Sequence, residues 1–319
     1  MTDKMPAAPE TAFLFPGQGS QKVGMGRELA EAYPAARHIF EYADDLLGFS
    51  LSRLAWQGPE SELNDTINTQ PALLVHSVAA LKVFQELFPV FQPAFVAGHS
   101  MGELSALVAS GASPFEDALR LVRRRGELMK QAGEVSPGGM AAVLGLDIPT
   151  LDHICAQASQ PEEIVQVAND NCPGQVVISG AAPALERAIE LAKQAGARRA
   201  VPLAVSIAAH SPLMALAQAD FNQAVDTAPL SDPDIPMIGN VSASAMKTAG
   251  QIRADLQAQL YSRVRWTESI QTMIASGVRN FIELGSGSVL TGLLKRIDRQ
   301  VRGISLGNPS DFERFTQTA

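Results

Sequence analysis

Phe95-Val96-Ala97-Gly98-His99-Ser100-Met101-Gly102 runs directly into Glu103-Leu104-Ser105-Ala106-Leu107-Val108-Ala109-Ser110-Gly111. Phe95-Val96-Ala97 is a short apolar run that suits a buried strand, and the stretch from Gly102 onward is helical in composition. Between them Gly98-His99-Ser100-Met101-Gly102 matches G-x-S-x-G in the strand–turn–helix setting which that motif requires. Glycines on either side of the serine allow a tight, strained turn. The turn lifts the Ser100 hydroxyl to a helix N-terminus, where free N–H groups and the helix dipole stabilise negative charge. Ser100 is therefore the candidate nucleophile. His99 adjoins it, but successive residues at such an elbow point apart, so His99 is read as a support of the turn.

Outward from this point the same alternation repeats. Thr11 to Phe15 is an apolar strand ending in the glycine-rich turn Pro16-Gly17-Gln18-Gly19-Ser20. Helical patterns follow at about 27–47 and 71–87. Short strands alternating with helices predict an α/β fold with a largely parallel sheet. The middle of the chain differs. MAAVLGL after Gly138-Gly139, a helix at 148–158, the strands IVQVAN and QVVISG around the turn 170–174, a helix at 183–195 and the strand RRAVPLAV give the order β-α-β-β-α-β. That order is the split pattern of a ferredoxin-like module, expected at 135–204 as an insertion. Ser211-Pro212 opens a further helix, the α/β pattern runs on to about Leu306, and the last residues are expected to be a loose tail.

Composition bounds the function. The chain has 319 residues, 46% hydrophobic and 18% charged, with a formal net charge of -8. An acidic chain gains nothing from a phosphate backbone, so nucleic-acid binding is not expected. Its cysteines, Cys155 and Cys172, lack CxxC spacing, and its histidines show no metal-ligand pattern. Cys172 is read as structural. Met1 to Glu10 lacks the charged-then-apolar order of a signal peptide, and no apolar run approaches the ~18 residues of a membrane span. A soluble, cytoplasmic protein, monomeric and without a membrane partner, is expected.

A serine hydroxyl needs a base. His210 is the best candidate, placed just before the N-cap and N1 pair Ser211-Pro212, where a helix N-terminus would favour the neutral imidazole. Arg125 is the most informative charge. It lies on the apolar stripe Ala118, Leu121, Val122, Leu128 and Met129, whereas Arg123 and Arg124 do not. An inward arginine needs an anion, either an internal Glu or Asp or a bound ligand.

Several stretches, in one order over about residues 11–307, resemble the malonyl-CoA:acyl carrier protein transacylases and the related acyltransferase domains of fatty acid and polyketide synthesis. They are FPGQGSQ at 15–21, TQPALL at 69–74, GHSMGE at 98–103, RG at 125–126, GGMAAV at 138–143, PGQVVISG at 173–180, AHSPLM at 209–214, QLY at 259–261 and VLTGL at 289–293. The resemblance implies an α/β-hydrolase-like large domain at 1–134 and 205–319 with a parallel sheet, and a ferredoxin-like small domain inserted at 135–204. It implies transfer of malonyl from malonyl-CoA to the phosphopantetheine thiol of an acyl carrier protein through a malonyl-serine, with no cofactor and no metal. It gives the His210 orienting role to the backbone carbonyl of Gln259, the oxyanion hole to the N–H groups of Gln18 and Met101, and the malonyl carboxylate to Arg125. Asn171 and Asn240 are implied at the substrate, where each could instead hold a turn. Partner carrier proteins of the family are typically acidic, which makes Arg198, Arg199, Lys295, Arg296 and Arg299 docking candidates. Two departures stand out. GSGSVL at 285–290 has Ser286 where relatives often have proline, which predicts a looser turn. Ala208-Ala209 before His210 is small, which predicts less strict malonyl selectivity. Rival readings are a malonyl-transfer subunit of a malonate decarboxylase, a serine thioesterase or hydrolase, and a non-catalytic carrier-binding module.

Overall fold

The computed structural model describes residues 6–205 and 207–318. A six-stranded sheet is formed by β1 (Thr11–Phe15), β2 (Phe95–Gly98), β7 (Met237–Ile238), β8 (Ala245–Met246), β9 (Asn280–Leu284) and β10 (Arg302–Leu306). Its order is β10-β9-β1-β2-β7-β8, parallel except for the β7–β8 pair. The strands β1 and β9 are buried along almost their whole length, as parallel strands covered on both faces must be. One face packs under the helices Thr66–Leu87, Gly102–Ala109 and Phe115–Val135. The other packs Trp266, Ile270, Met273, Leu290 and Leu294.

A second, four-stranded antiparallel sheet holds β3 (Gly138–Leu144), β4 (Val165–Cys172), β5 (Gln175–Ala181) and β6 (Arg199–Pro202) in the order β4-β5-β3-β6. With the helices Ile148–Ala158 and Ala182–Gln194 it has its own apolar core. This is the split β-α-β-β-α-β arrangement. The far end of β4 is stitched to the large sheet's side of the molecule. The Asp170 N–H donates to Val264 O at 2.9 Å, Val264 N–H donates to Ala168 O at 2.8 Å, and Cys172 is buried among Ile238, Val264 and Trp266.

Several local expectations are corrected. The pattern at 27–47 forms two helices, Arg27–Ala32 and Pro34–Leu47, because the residue before a proline avoids helical dihedrals and Tyr33 is extended. The helix expected at 71–87 begins at Thr66, five residues before Pro71, with the Asp65 side chain accepting from Ile67 N–H. Pro71 cannot donate to Ile67 O, and the Arg123 guanidinium supplies that bond instead, at 2.8 Å. The strand β4 continues through the predicted turn to Cys172, and RRAVPLAV is extended in the sheet only at Arg199–Pro202. The tail is no tail where it is described: Pro309–Thr318 is helical, with Phe312 and Phe315 buried in the large core. Residues Met1 to Met5 and Ala319 lie outside the described residues.

Candidate active site

The carboxyl ends of the parallel strands converge, as they do around ligand sites in open α/β sheets. After β1 comes the turn 16–20, after β2 the Ser100 elbow, after β7 Asn240 and after β9 the turn 285–288. Close backbone approach explains the glycines. A methyl group on Gly98 would sit 1.9 Å from Gly102 O, and one on Gly17 would sit 2.5 Å from His99 O. The turn after β1 therefore lies directly against the elbow. Gly19 has no such neighbour; its φ of 101° is the reason for a glycine there.

Ser100 is held at φ 52° and His210 at φ 57°. Strain of this kind in non-glycine residues costs of order 1–3 kcal/mol each and persists where the surroundings enforce it. The enforcing group at the elbow is Asn240. Its Oδ1 accepts from Ser100 N–H at 2.7 Å and its Nδ2 donates to Gly98 O at 2.7 Å. Both ends of this amide are thus committed to the turn.

The Ser100 Oγ lies 2.8 Å from His210 Nε2, and His210 Nδ1 lies 2.8 Å from the backbone oxygen of Gln259. A carbonyl oxygen only accepts, so it places the ring proton on Nδ1 and leaves Nε2 as the acceptor for the serine. Burial, and then the nearby Arg125 charge, hold the His210 imidazole down to about 3. Both favour the neutral form. Ser211-Pro212 opens a 3-10 turn, Pro212–Met214, ahead of the helix Ala215–Thr227.

Arg125 is 1% exposed. Among the described residues it forms no salt bridge. Nη1 donates to Gln70 Oε1 at 2.7 Å, and Nη2 donates to Gln259 Oε1 at 2.8 Å and to Ser100 Oγ at 3.2 Å. Burial lowers the guanidinium to about 10, which leaves it cationic at neutral pH. A planar cation beside a serine hydroxyl, partnered only by neutral groups, is suited to a carboxylate. Arg123 and Arg124 point elsewhere, to Glu127 and Asp220 respectively.

The Met101 and Gln18 N–H groups have no acceptor among the described residues. The Gln18 side chain accepts from Thr66 Oγ1 at 3.0 Å. Ser286 does not loosen its turn: it is buried, and its Oγ donates to Ser20 O at 2.6 Å, tying the turn after β9 to the turn after β1. Asn171 Oδ1 lies 2.8 Å from His99 Nε2, and the His99 ring packs edge-on to Trp266 at 5.3 Å. The Asn171 amide nitrogen has no acceptor among the described residues.

Three neighbours carried no assigned role in the sequence. Gln70, within TQPALL, meets Arg125. Glu103, the last residue of GHSMGE, accepts from Gln259 Nε2. Gln166 on β4 donates to His210 O at 2.8 Å and to Tyr261 O at 2.9 Å, bridging the segments that carry the base and its orienting carbonyl. Gln70 and Glu103 stood inside motifs. Gln166 left no signal beyond a polar residue in an apolar strand.

An acyl transferase domain family matches residues 12–307. The malonyl CoA-acyl carrier protein transacylase of Bacillus subtilis (strain 168) is 48% identical over 307 residues, covering 96% of each chain. That of Haemophilus influenzae is 46% identical over 301 residues, covering 94% of this chain and 96% of its own. The solved acyl carrier protein S-malonyltransferase of Vibrio cholerae superposes with a TM-score of 0.92 at 44% identity, covering 96% of this chain and 99% of that one. A malonyl-transacylase solved in complex with a type II PKS acyl-carrier protein has a TM-score of 0.94 at 42% identity, covering 97% of this chain and 100% of that one. The chain belongs to the acyl transferase domain family, among its malonyl CoA-acyl carrier protein transacylases.

Proposed function

We propose that this enzyme moves a malonyl group from malonyl-CoA to the phosphopantetheine thiol of an acyl carrier protein, through a malonyl ester on Ser100, in fatty acid or polyketide synthesis. One observation carries the mechanism: the unbroken chain Ser100 Oγ, His210 Nε2, His210 Nδ1, Gln259 O, with both spacings 2.8 Å and Arg125 at its head. His210 Nε2 takes the hydroxyl proton as Ser100 attacks the thioester carbon. The Met101 and Gln18 N–H groups receive the oxyanion; losing one such donor typically costs about 2.7–4 kcal/mol of barrier. The carbon–sulfur bond then breaks, and the CoA thiolate leaves with the proton held on His210. The carrier thiol repeats the sequence in reverse.

Arg125 binds the free malonyl carboxylate through guanidinium donors that Gln70 and Gln259 leave free, while those two amide oxygens hold the group in place. Asn171 donates to the acyl group, while Asn240 braces the elbow. These side chains and backbone groups handle every proton and charge, so the cycle requires no metal or redox cofactor. The large unit, 1–134 with 205–319, carries Ser100, Arg125 and His210; the inserted unit, 135–204, carries Gln166 and Asn171. No described helix is long and apolar enough to cross a membrane. The buried, unpaired Cys155 and Cys172 suit a protein working in the reducing cytoplasm.

The test is intact mass after mixing with malonyl-, acetyl- and methylmalonyl-CoA. The wild-type chain gains one malonyl mass, and Ser100→Ala, folded by thermal melt, gains none. A malonyl adduct on Ser100→Ala would show that the nucleophile lies elsewhere. Steady malonyl-CoA hydrolysis without carrier protein would make the enzyme a hydrolase.

A further inference from the structure

Glu103 follows the elbow in the first turn of the helix Gly102–Ala109, and its side chain is fully buried. Helix N-termini favour acidic residues, yet this carboxyl does not point to the helix's own N–H groups. It accepts from the Nε2 of Gln259, which is also fully buried. The other contacts of Gln259 divide the site's labour. Its backbone oxygen faces His210, its Nε2 also donates to Ser100 O at 3.1 Å, and its Oε1 accepts from Arg125 Nη2 at 2.8 Å.

We propose that Glu103 is a positioning residue for acyl-group selection: it fixes the Gln259 amide so that the oxygen, not the nitrogen, faces Arg125. The inference rests on Arg125 as the carboxylate clamp proposed above. The argument is one of donors and acceptors. Reversing the amide would set its NH2 against the Arg125 guanidinium and its oxygen against the Ser100 carbonyl oxygen, which can only accept, and would take the donor away from the Glu103 oxygen it now serves. Whether Glu103 carries a proton or not, one oxygen remains to accept from Gln259. Buried groups of this kind cannot exchange a lost partner for solvent, so the orientation of one amide passes to the next. Asp255 stands on the far side, its oxygens accepting from Val241 N–H at 3.0 Å and Ser242 N–H at 2.8 Å. Burial and that neighbouring carboxylate push the Glu103 carboxyl well above the usual range.

The test compares Glu103→Gln, which keeps an accepting oxygen, with Glu103→Met, which does not. The readout is the ratio of kcat/KM for malonyl-CoA over acetyl-CoA in formation of acyl-Ser100, a ratio that a general loss of folded enzyme does not move. Glu103→Gln should stay within about threefold of wild type. Glu103→Met should lower the ratio by about tenfold, the scale of one hydrogen bond to a charged group. Gln259→Met, which retains the backbone oxygen for His210, should show the same fall even if Glu103→Met does not fold. In an Arg125→Ala background neither should change the ratio further. An unchanged ratio in the methionine variants, an equal fall in Glu103→Gln, or a second fall on top of Arg125→Ala overturns the inference. If Arg125→Ala alone leaves the ratio unchanged, the clamp reading is the one that has failed.

Discussion

At the scale of single residues, the decisive contrast is between a base held neutral and a cation held without a counterion. Arg125 lowers the His210 imidazole, second only to burial. A bound malonyl carboxylate offsets the Arg125 charge and so eases the protonation of His210 that the transition state needs. Arg125→Ala should cut malonyl-Ser100 formation by two to three decades, from roughly 3–5 kcal/mol for breaking a buried pair. Acetyl transfer, with no carboxylate to lose, should fall much less. The sign of the pH effect follows. Removing a positive neighbour raises the His210 pKa, so the acid-side fall in kcat/KM for acetyl-CoA should move to higher pH than in wild type. Parallel loss of both acyl groups with a lower melting temperature and an unmoved pH profile would make Arg125 a structural cation. Ser100 and His210 could be picked out because each needs a particular local setting, a strand–turn–helix or a capping pair, which neighbouring residues announce. The inward direction of Arg125 was readable from helical periodicity. The partners of Arg125 were not, because Gln70 and Gln259 reach it from 55 and 134 residues away.

At the scale of elements, the site depends on how closely the helices Thr66–Leu87 and Phe115–Val135 approach, since one carries Gln70 and the other Arg125. Gly126 sets that distance. A methyl group there would meet Thr66 O at 2.9 Å and the Ile67 Cα at 3.0 Å. Alanine is the better helix former by about 1 kcal/mol, but overpacking typically costs about 1–3 kcal/mol. Gly126→Ala should therefore lower the melting temperature and, by moving Arg125 from Gln70, reduce malonyl transfer more than acetyl transfer. A raised melting temperature with unchanged selectivity would mean that propensity wins and the helices part at no cost. The same pair of helices shows where sequence reading ran out. Alternation of apolar strands and helices disclosed both sheets and the split pattern of the smaller one. The start of Thr66–Leu87 was hidden because Pro71 marks a helix N-terminus in ordinary contexts. Here Arg123 on the other helix satisfies Ile67 O, a tertiary contact that local rules do not contain. The helix Pro309–Thr318 was missed for the same reason, its Phe312 and Phe315 finding a core built by residues far upstream.

At the scale of the whole molecule, the proposed function pairs an enzyme of net charge -8 with a carrier protein that the family resemblance leads one to expect to be acidic. Global attraction cannot bring them together, so docking requires a local cationic surface. The seam between the small sheet and the helix Val289–Ile297 has one. Arg198 lies against Gly145, which pairs with Gly174 through a 3.0 Å backbone bond, and Arg296 reaches the same turn, donating to Pro173 O at 3.0 Å and Gln175 Oε1 at 2.5 Å. Arg199, Lys295 and Arg299 are exposed around them. Arg296 already clasps the seam, so its reversal would disturb the fold as well as the surface. Arg199→Glu, Lys295→Glu and Arg299→Glu in one chain are the cleaner probe. This variant should raise KM for the carrier protein by about tenfold or more at low ionic strength, with the difference shrinking as salt screens the surface. Acylation of Ser100 by malonyl-CoA should not change, because the dyad and Arg125 are untouched. Equal loss in both half-reactions would mean a damaged fold. An unchanged KM for the carrier would move the docking surface elsewhere on the molecule.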